Sequence, residues 1–368
     1  MTTTFPTYES IGVRPLINCK GTYTIISGSL MLPEVRAAMA EASTQYVDLE
    51  ELMAAAGQRI SEVMQCEWGL ITNGCAAALC AVTAGIVAGM DREKVRQLPD
   101  TTGMKNEVIV QPTHRFVYDH AIRMVGVKMV EVETLAELEA AISERTAMMA
   151  IFGDAGDRGT ISVPEMTKVA KAHGIPTFAD AAAERPDVPN RYLGEGVDVV
   201  AYSGGKCLRG PQSAGLVLGR KDILQAAFAN MAPHHSIGRP MKVGKEEIMG
   251  MLAAVEMWVK RDHEAEWKEW ERRLATIGDA LSGTPTLETW IKEPERSNVA
   301  PILMMEWDAE TLKLTPEDVR RQLSEGEPRI EMFAEEKGVS VMPYMMEPGD
   351  ASVVAHRIAD IFDGATAP

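Results

Sequence analysis

Apolar residues recur along this chain in two rhythms, and the switches between them mark its parts. Residues 1–30 follow neither; their Pro15, Gly12 and Gly21 suggest an irregular arm laid over other structure. Between 33 and 64 the apolar positions fall three and four apart, the period of a helix with one buried face. Val35, Ala38, Met39 and Ala42 form one group behind Pro33, which suits the first position of a helix. Leu49, Leu52, Met53, Ala56, Ile60 and Met64 form a second. A short apolar run from Trp68 then ends in Asn73-Gly74, where small residues open another helix.

From 99 to 220 strand and helix signals alternate. Apolar runs at 108–111, 127–132, 148–152, 176–180, 197–202 and 216–218 read as strands, and 135–142 and 163–173 as helices between them. Alternation of this kind predicts an α/β domain with a mostly parallel sheet. A helix and a loop fill 221–244. A long helix then starts near Lys245, with Ile248, Met251, Leu252, Val255, Trp258 and Val259 on one face, and residues 261–273 read as its charged continuation. Strands near 286–291, 302–307 and 339–342, with helices at 316–323 and 351–362, make a small C-terminal α+β domain. The expected division is an N-terminal arm with helices over 1–55, a large domain over 56–245, and a linking helix with the small domain over 246–368.

Charge narrows the partners. The formal net charge is −16, and no basic run interrupts it. Such a surface repels nucleic acid and anionic membrane. No stretch approaches a membrane span, and the N-terminus lacks the cationic start and apolar core of a secretory signal. The five cysteines form no CxxC pair, so reduced thiols in the cytoplasm are expected. His114, His120, His234 and His235 lack the spacing of a helix-borne zinc site, and no metal is expected.

The stretch that carries chemistry is Tyr202-Ser203-Gly204-Gly205-Lys206-Cys207-Leu208-Arg209-Gly210-Pro211-Gln212, between two apolar strands. A lysine among small residues in that position is a candidate amine nucleophile, of the kind that forms a Schiff base. Asp180 ends a strand upstream. Alone, it reads best as a cap for the helix through Ala181, Ala182 and Ala183. The turn at Gly74 opens a helix, whose free N–H groups suit a phosphate or simply pack on a sheet. Together the three match the needs of pyridoxal 5'-phosphate. A lysine binds the aldehyde, a carboxylate holds the pyridine nitrogen protonated, and a helix start with hydroxyls such as Ser203 holds the phosphate. His114, just after a strand, is the candidate to lie on the ring face. No G-x-G-x-x-G or GxxxxGK[ST] pattern supports a nucleotide site instead.

The segments 13–18 (Val-Arg-Pro-Leu-Ile-Asn), 72–78 (Thr-Asn-Gly-Cys-Ala-Ala-Ala), 178–184 (Phe-Ala-Asp-Ala-Ala-Ala-Glu), 203–206 (Ser-Gly-Gly-Lys) and 209–212 (Arg-Gly-Pro-Gln) resemble the selenocysteine synthase (L-seryl-tRNA selenium transferase)-related group of fold-type I pyridoxal-phosphate enzymes. Within it, the chain is most similar to the D-glucosaminate-6-phosphate ammonia-lyase-like branch, including 238–245 and 326–330. The resemblance implies Lys206 as the Schiff-base lysine and Asp180 as the pyridinium partner. It implies Gly74, Cys75, Ala76 and Ser203 at the phosphate, and His114 or Arg115 against the ring. It implies a homodimer or higher homo-oligomer, with the loop 233–245 available to a neighbour's cofactor. The tRNA activity of the larger group is not expected, because this chain has no room for the additional N-terminal tRNA domain and carries strong negative charge.

The expected reaction is that of a lyase. Lys206 takes the α-proton of an anionic 2-amino-3-hydroxy acid, β-elimination follows, and ammonia and a keto acid are released. Arginines bind carboxylate and phosphate as bidentate forks. Arg239 and Arg329 are the preferred clamps, with Arg209, Arg14 and Arg158 behind them. The alternatives are a racemase or epimerase of the same fold, with Cys75, His114 or Tyr23 as a second acid, and a regulatory protein that keeps the cofactor without turnover.

Overall fold

The computed structural model describes residues 5–297 and 299–366. The chain forms two compact units, one of Ser29–Arg261 and one that joins the segment before Ser29 to the chain from Asp262 onward.

In the first unit seven strands make one sheet. They are β1 (Trp68–Thr72), β2 (Glu107–Val110), β3 (Lys128–Glu131), β4 (Thr146–Phe152), β5 (Thr177–Asp180), β6 (Val199–Ser203) and β7 (Gly215–Gly219). Their order across the sheet is β3-β2-β4-β5-β6-β7-β1. Every pairing is parallel except those of β7, which runs against both β6 and β1. The strands of β4 to β7 are buried almost throughout, as expected for a sheet covered on both faces.

Register places the chemistry. Phe152 pairs with Asp180, Asp180 with Ala201, Ser203 with Gly215, and Gly215 with Thr72. The carboxyl ends of β4, β5, β6 and β1 thus lie side by side with the start of β7. Ligands of open α/β sheets bind beyond such an edge.

Helices α1 (Pro33–Ala42), α2 (Leu49–Met64), α3 (Gly74–Ala88), α4 (Val163–Ala172), α5 (Lys221–Ala229) and α6 (Lys245–Trp258) accompany this sheet. Their starts are written locally. Asp48 accepts from the Glu50 and Glu51 N–H groups, and Ser162 and Glu165 form a reciprocal capping box.

Three expectations change. The first unit begins at Ser29 and ends at Arg261, rather than at 56 and 245. Leu32 and Val35 of the first helical segment share a buried cluster with Ala254 of α6, and Gly57 of α2 packs so closely on β1 that an added Cβ would lie 2.6 Å from the Gly69 carbonyl oxygen. Second, the charged segment after α6 does not continue it. A separate helix, His263–Ala280, opens where the Asp262 side chain accepts from the Ala265 N–H. Third, the N-terminal arm holds a strand, Leu16–Asn18, parallel to Arg329–Glu331.

The second unit also contains a four-stranded antiparallel sheet, ordered Phe333–Ala334, Gly338–Val341, Ile302–Glu306, Glu288–Lys292. Helices His263–Ala280, Pro316–Glu325 and Asp350–Thr366 contribute Ile277, Leu323 and Ile358 to a core with Met305 and Val339. Trp307 meets Phe362 edge to face, with ring centroids 4.9 Å apart.

Gly85 tests the packing of the first unit. A Cβ there would lie 2.5 Å from the Ala227 nitrogen and 2.8 Å from the Ala226 carbonyl carbon, both backbone atoms of α5. Gly85→Ala is expected to cost about 1–3 kcal/mol and lower Tm by roughly 2–10 °C. Calorimetry checks this; an unchanged Tm would contradict the close crossing of α3 and α5.

Candidate active site

Asp180 ends β5 with only 4% of its surface exposed. Its Oδ1 accepts from the Ala182 N–H at 3.0 Å and from the Cys75 thiol at 3.2 Å. Burial raises the Asp180 carboxyl above its ordinary range; those two donors and the nearby Lys206 charge pull the other way. Burial, and then the Asp180 charge, push the Cys75 thiol well above its ordinary value. Asp180 and Cys75 are thus joined by a hydrogen bond, and the Lys206 charge acts on both. The helix expected through Ala181, Ala182 and Ala183 is absent: those residues form a turn, and the Ala182 N–H bond to Asp180 belongs to that turn.

Lys206 sits in the turn after β6, half-buried. Gly204 N–H donates to the Ala214 carbonyl and Gly210 N–H to the Gly204 carbonyl, which closes the loop on the start of β7. A Cβ on Gly204 would lie 2.8 Å from the Ala214 oxygen, and one on Gly205 would lie 2.7 Å from the Gln212 Cα. The glycines before the lysine thus fit the loop against itself. Arg209, in the left-handed region with φ 54°, donates through Nε to the Leu30 carbonyl. Cys207 points away, its thiol donating to the Glu184 carbonyl.

Helix α3 starts without a side-chain cap, unlike α2 and α4. Asn73 donates instead to the Lys242 carbonyl at 2.7 Å, so the loop 233–244 of the same chain reaches the start of α3. Gly74 has φ 78°, and the start of β7 packs directly behind it: a Cβ on Gly215 would lie 2.6 Å from the Gly74 carbonyl carbon. An uncapped fifteen-residue helix start at the carboxyl edge of the sheet suits an anion.

His114 follows β2 on a short helical turn and is 2% exposed. The Phe152 N–H donates to its Nδ1 at 3.1 Å, which leaves the proton on Nε2, 3.2 Å from the Arg158 carbonyl. With Phe116, Phe152 and Asp180 it lines a small cavity, and the Phe116 and Phe152 rings are stacked there. Arg115 turns elsewhere, to Asp119 and Glu131.

The arginines proposed as clamps divide. Arg239 is exposed and has no ion pair among the described residues. Arg329 is paired with Glu331 at 2.6 Å, and Arg14 with Glu327 and the Gly326 carbonyl; both pairings lie in the second unit. Tyr23, also there, packs edge to face on Phe333.

Two buried hydroxyls that the sequence reading passed over, Ser29 Oγ and Ser236 Oγ, have no hydrogen-bond partner among the described residues. Ser29 N–H donates to the Gly205 carbonyl, next to Lys206. No pattern in the sequence signals either one. Among the described residues no group of three or more His, Cys, Asp or Glu side chains is placed to hold a metal ion.

The site fits pyridoxal phosphate: a lysine whose charge acts on a buried carboxylate, an uncapped helix start, and the unpartnered Ser29 hydroxyl, whose own N–H meets the carbonyl next to the lysine. Strand order, the single reversed strand β7 and this site define a fold-type I pyridoxal-phosphate enzyme. The family model for aminotransferase class-V matches residues 40–313, and the chain belongs to that family. It is 30% identical to a D-glucosaminate-6-phosphate ammonia lyase of Salmonella typhimurium, over 97% of this chain and 98% of that one. It is 29% identical to a 5'-C-glycyluridine monooxygenase-decarboxylase of a Streptomyces species, over 98% and 93% of the two chains. A solved structure of D-glucosaminate-6-phosphate ammonia-lyase superposes with a TM-score of 0.86, at 29% identity, covering 99% of this chain and all of the other.

Lys206→Ala is expected to fold normally, retain cofactor only without a covalent link, and lose the visible absorption of the lysine-linked form. Turnover should fall about 10²–10⁴-fold with the loss of the base. Reconstitution followed by absorption spectroscopy and a rate assay checks both; an unchanged spectrum would displace Lys206 from the role.

Proposed function

We propose that this enzyme is an ammonia-lyase acting on an anionic 2-amino-3-hydroxy acid, with D-glucosaminate 6-phosphate the first substrate to try. The observation that carries the proposal is the 30% identity to such a lyase over 97% of the chain, combined with Lys206 beside the buried Asp180.

The bound cofactor supplies an electron sink for the pair left when the α-proton departs. This chain's own groups do the rest. Asp180 would hold the ring nitrogen; its Oδ2 has no donor among the described residues. The start of α3 at Gly74, Cys75 and Ala76, with Ser203, would hold the phosphate, and His114 would lie by the ring. The Lys206 amine takes the proton from Cα and returns it to the departing β-hydroxyl, since one amine can serve as base and then acid. The hydroxyl leaves as water; Cβ then gains a proton, and a water adds at Cα to supply the keto oxygen as the nitrogen leaves as ammonia, giving a 2-keto-3-deoxy acid with no net water and no oxidant consumed. Arg239 is the proposed cation for the substrate's carboxylate or phosphate. Three residues on, Lys242 of the same loop meets Asn73 at the helix start, while Gly238 before it is held by Asn230. Arg209 already holds a backbone partner, and its proposed substrate contact would add to or exchange that bond.

The racemase reading has less support. Of its proposed second acids, Cys75 donates to Asp180 and His114 is engaged at both ring nitrogens by backbone groups. We further propose a cytoplasmic homodimer, with no nucleic-acid partner on a surface of net charge −16; no helix among the described residues is long and apolar enough to cross a membrane.

The test is a panel of 2-amino-3-hydroxy acids, with and without a terminal phosphate, incubated with reconstituted enzyme. Equal amounts of ammonia and keto acid, with no oxygen uptake, are expected. Oxygen uptake with release of carbon dioxide would instead favour chemistry like that of the monooxygenase-decarboxylase. Inversion at Cα without ammonia would favour the racemase. Arg239→Ala should raise KM about tenfold or more for the preferred substrate with less effect on kcat, as for loss of a charged hydrogen bond made before and during reaction.

A further inference from the structure

Cys75 is the second residue of α3, 8% exposed. Buried cysteines mostly behave as small apolar side chains. This one aims its thiol at an anion 105 positions away in the chain. The Asp180 carboxylate turns about a soft torsion with a broad minimum. Two donors on one oxygen, the Cys75 thiol and the Ala182 N–H, restrain its plane, and the second oxygen has no donor among the described residues. The other groups near Asp180 are Lys206, whose charge favours the carboxylate, and His114 and Asp119, which line the same cavity.

We propose that Cys75 is a positioning residue, whose thiol holds Asp180 Oδ1 so that Oδ2 is presented to the pyridine nitrogen of the cofactor. This rests on the cofactor assignment above. In that arrangement residue 75 serves both ends of the site, its backbone at the helix start and its side chain at the carboxylate. Without the thiol, Asp180 loses one of the two donors on Oδ1, turns more freely and is more readily neutral. A neutral partner leaves the pyridine nitrogen less protonated. The lysine-linked nitrogen then keeps its own proton to higher pH, because the opposing ring charge is gone.

The experiment compares reconstituted wild type, Cys75→Ala and Cys75→Ser, each also in an Asp180→Asn background. Equilibrium dialysis gives the cofactor Kd, and a pH titration of the lysine-linked absorption gives its midpoint. Cys75→Ala should raise Kd about ten- to a hundredfold, the range for a hydrogen bond to a charged group, and move the midpoint to higher pH. Cys75→Ser keeps a donor and should restore most of both. In the Asp180→Asn background Cys75→Ala should change neither. The proposal is overturned if Cys75→Ala matches wild type, if Cys75→Ser is as impaired as Cys75→Ala while unfolding at the wild-type temperature, or if the effect persists without the Asp180 charge. Should Cys75→Ala fail to fold, Cys75→Val supplies the variant without a donor. Absence of lysine-linked absorption in wild type would overturn the cofactor assignment itself, a separate result.

Discussion

A carboxylate at 4% exposure is costly in its charged form, and the active-site edge of the sheet is arranged around that of Asp180. The Ala182 N–H comes from the chain's own turn after β5. The Cys75 thiol comes from the start of α3. The Lys206 charge comes from the turn after β6. Each of these is delivered because the parallel strands end on one side. If β5 were to slip by one residue, Asp180 would face the opposite side of the sheet and lose them together.

The reversed strand β7 completes the arrangement. It carries the chain back from the Lys206 loop between β6 and the edge strand β1, and at its start Gly215 packs against Gly74. The loop holding the lysine and the helix start proposed for the phosphate thus meet across two strands. A side chain at 215 would separate them. The glycines at 204 and 205 serve the same closure, by fitting the loop against Ala214 and Gln212. Chemistry that needs a lysine, a carboxylate and an anion site within one cofactor's length depends on these backbone contacts as much as on the functional groups.

Much of this was legible in the sequence, and the reasons differ by residue. Lys206 and Asp180 stood at the ends of apolar runs whose alternation with helices implied parallel strands, and parallel strands bring their carboxyl ends together. The helix start at Gly74 was visible as a strand followed by Asn-Gly and small residues. The thiol contact of Cys75 was not legible, because its partner is set by sheet order, which no local pattern encodes. Position after the strand pointed to His114 and the family resemblance left Arg115 as its alternative; the turn after β2 sends Arg115 to Asp119 and His114 to the strand ends. The strand Leu16–Asn18 was missed because its partner, Arg329–Glu331, lies near the other end of the chain. The break after α6 was missed because the charged pattern continues through it, while a single cap at Asp262 decides the boundary.

The central claim is that one lysine, Lys206, carries the cofactor next to Asp180. The most direct measurement is to reduce the reconstituted enzyme with borohydride, digest it, and locate the phosphopyridoxyl group by mass spectrometry. The account predicts modification at Lys206 alone, in near-stoichiometric amount. Modification at another lysine, or none, would contradict it.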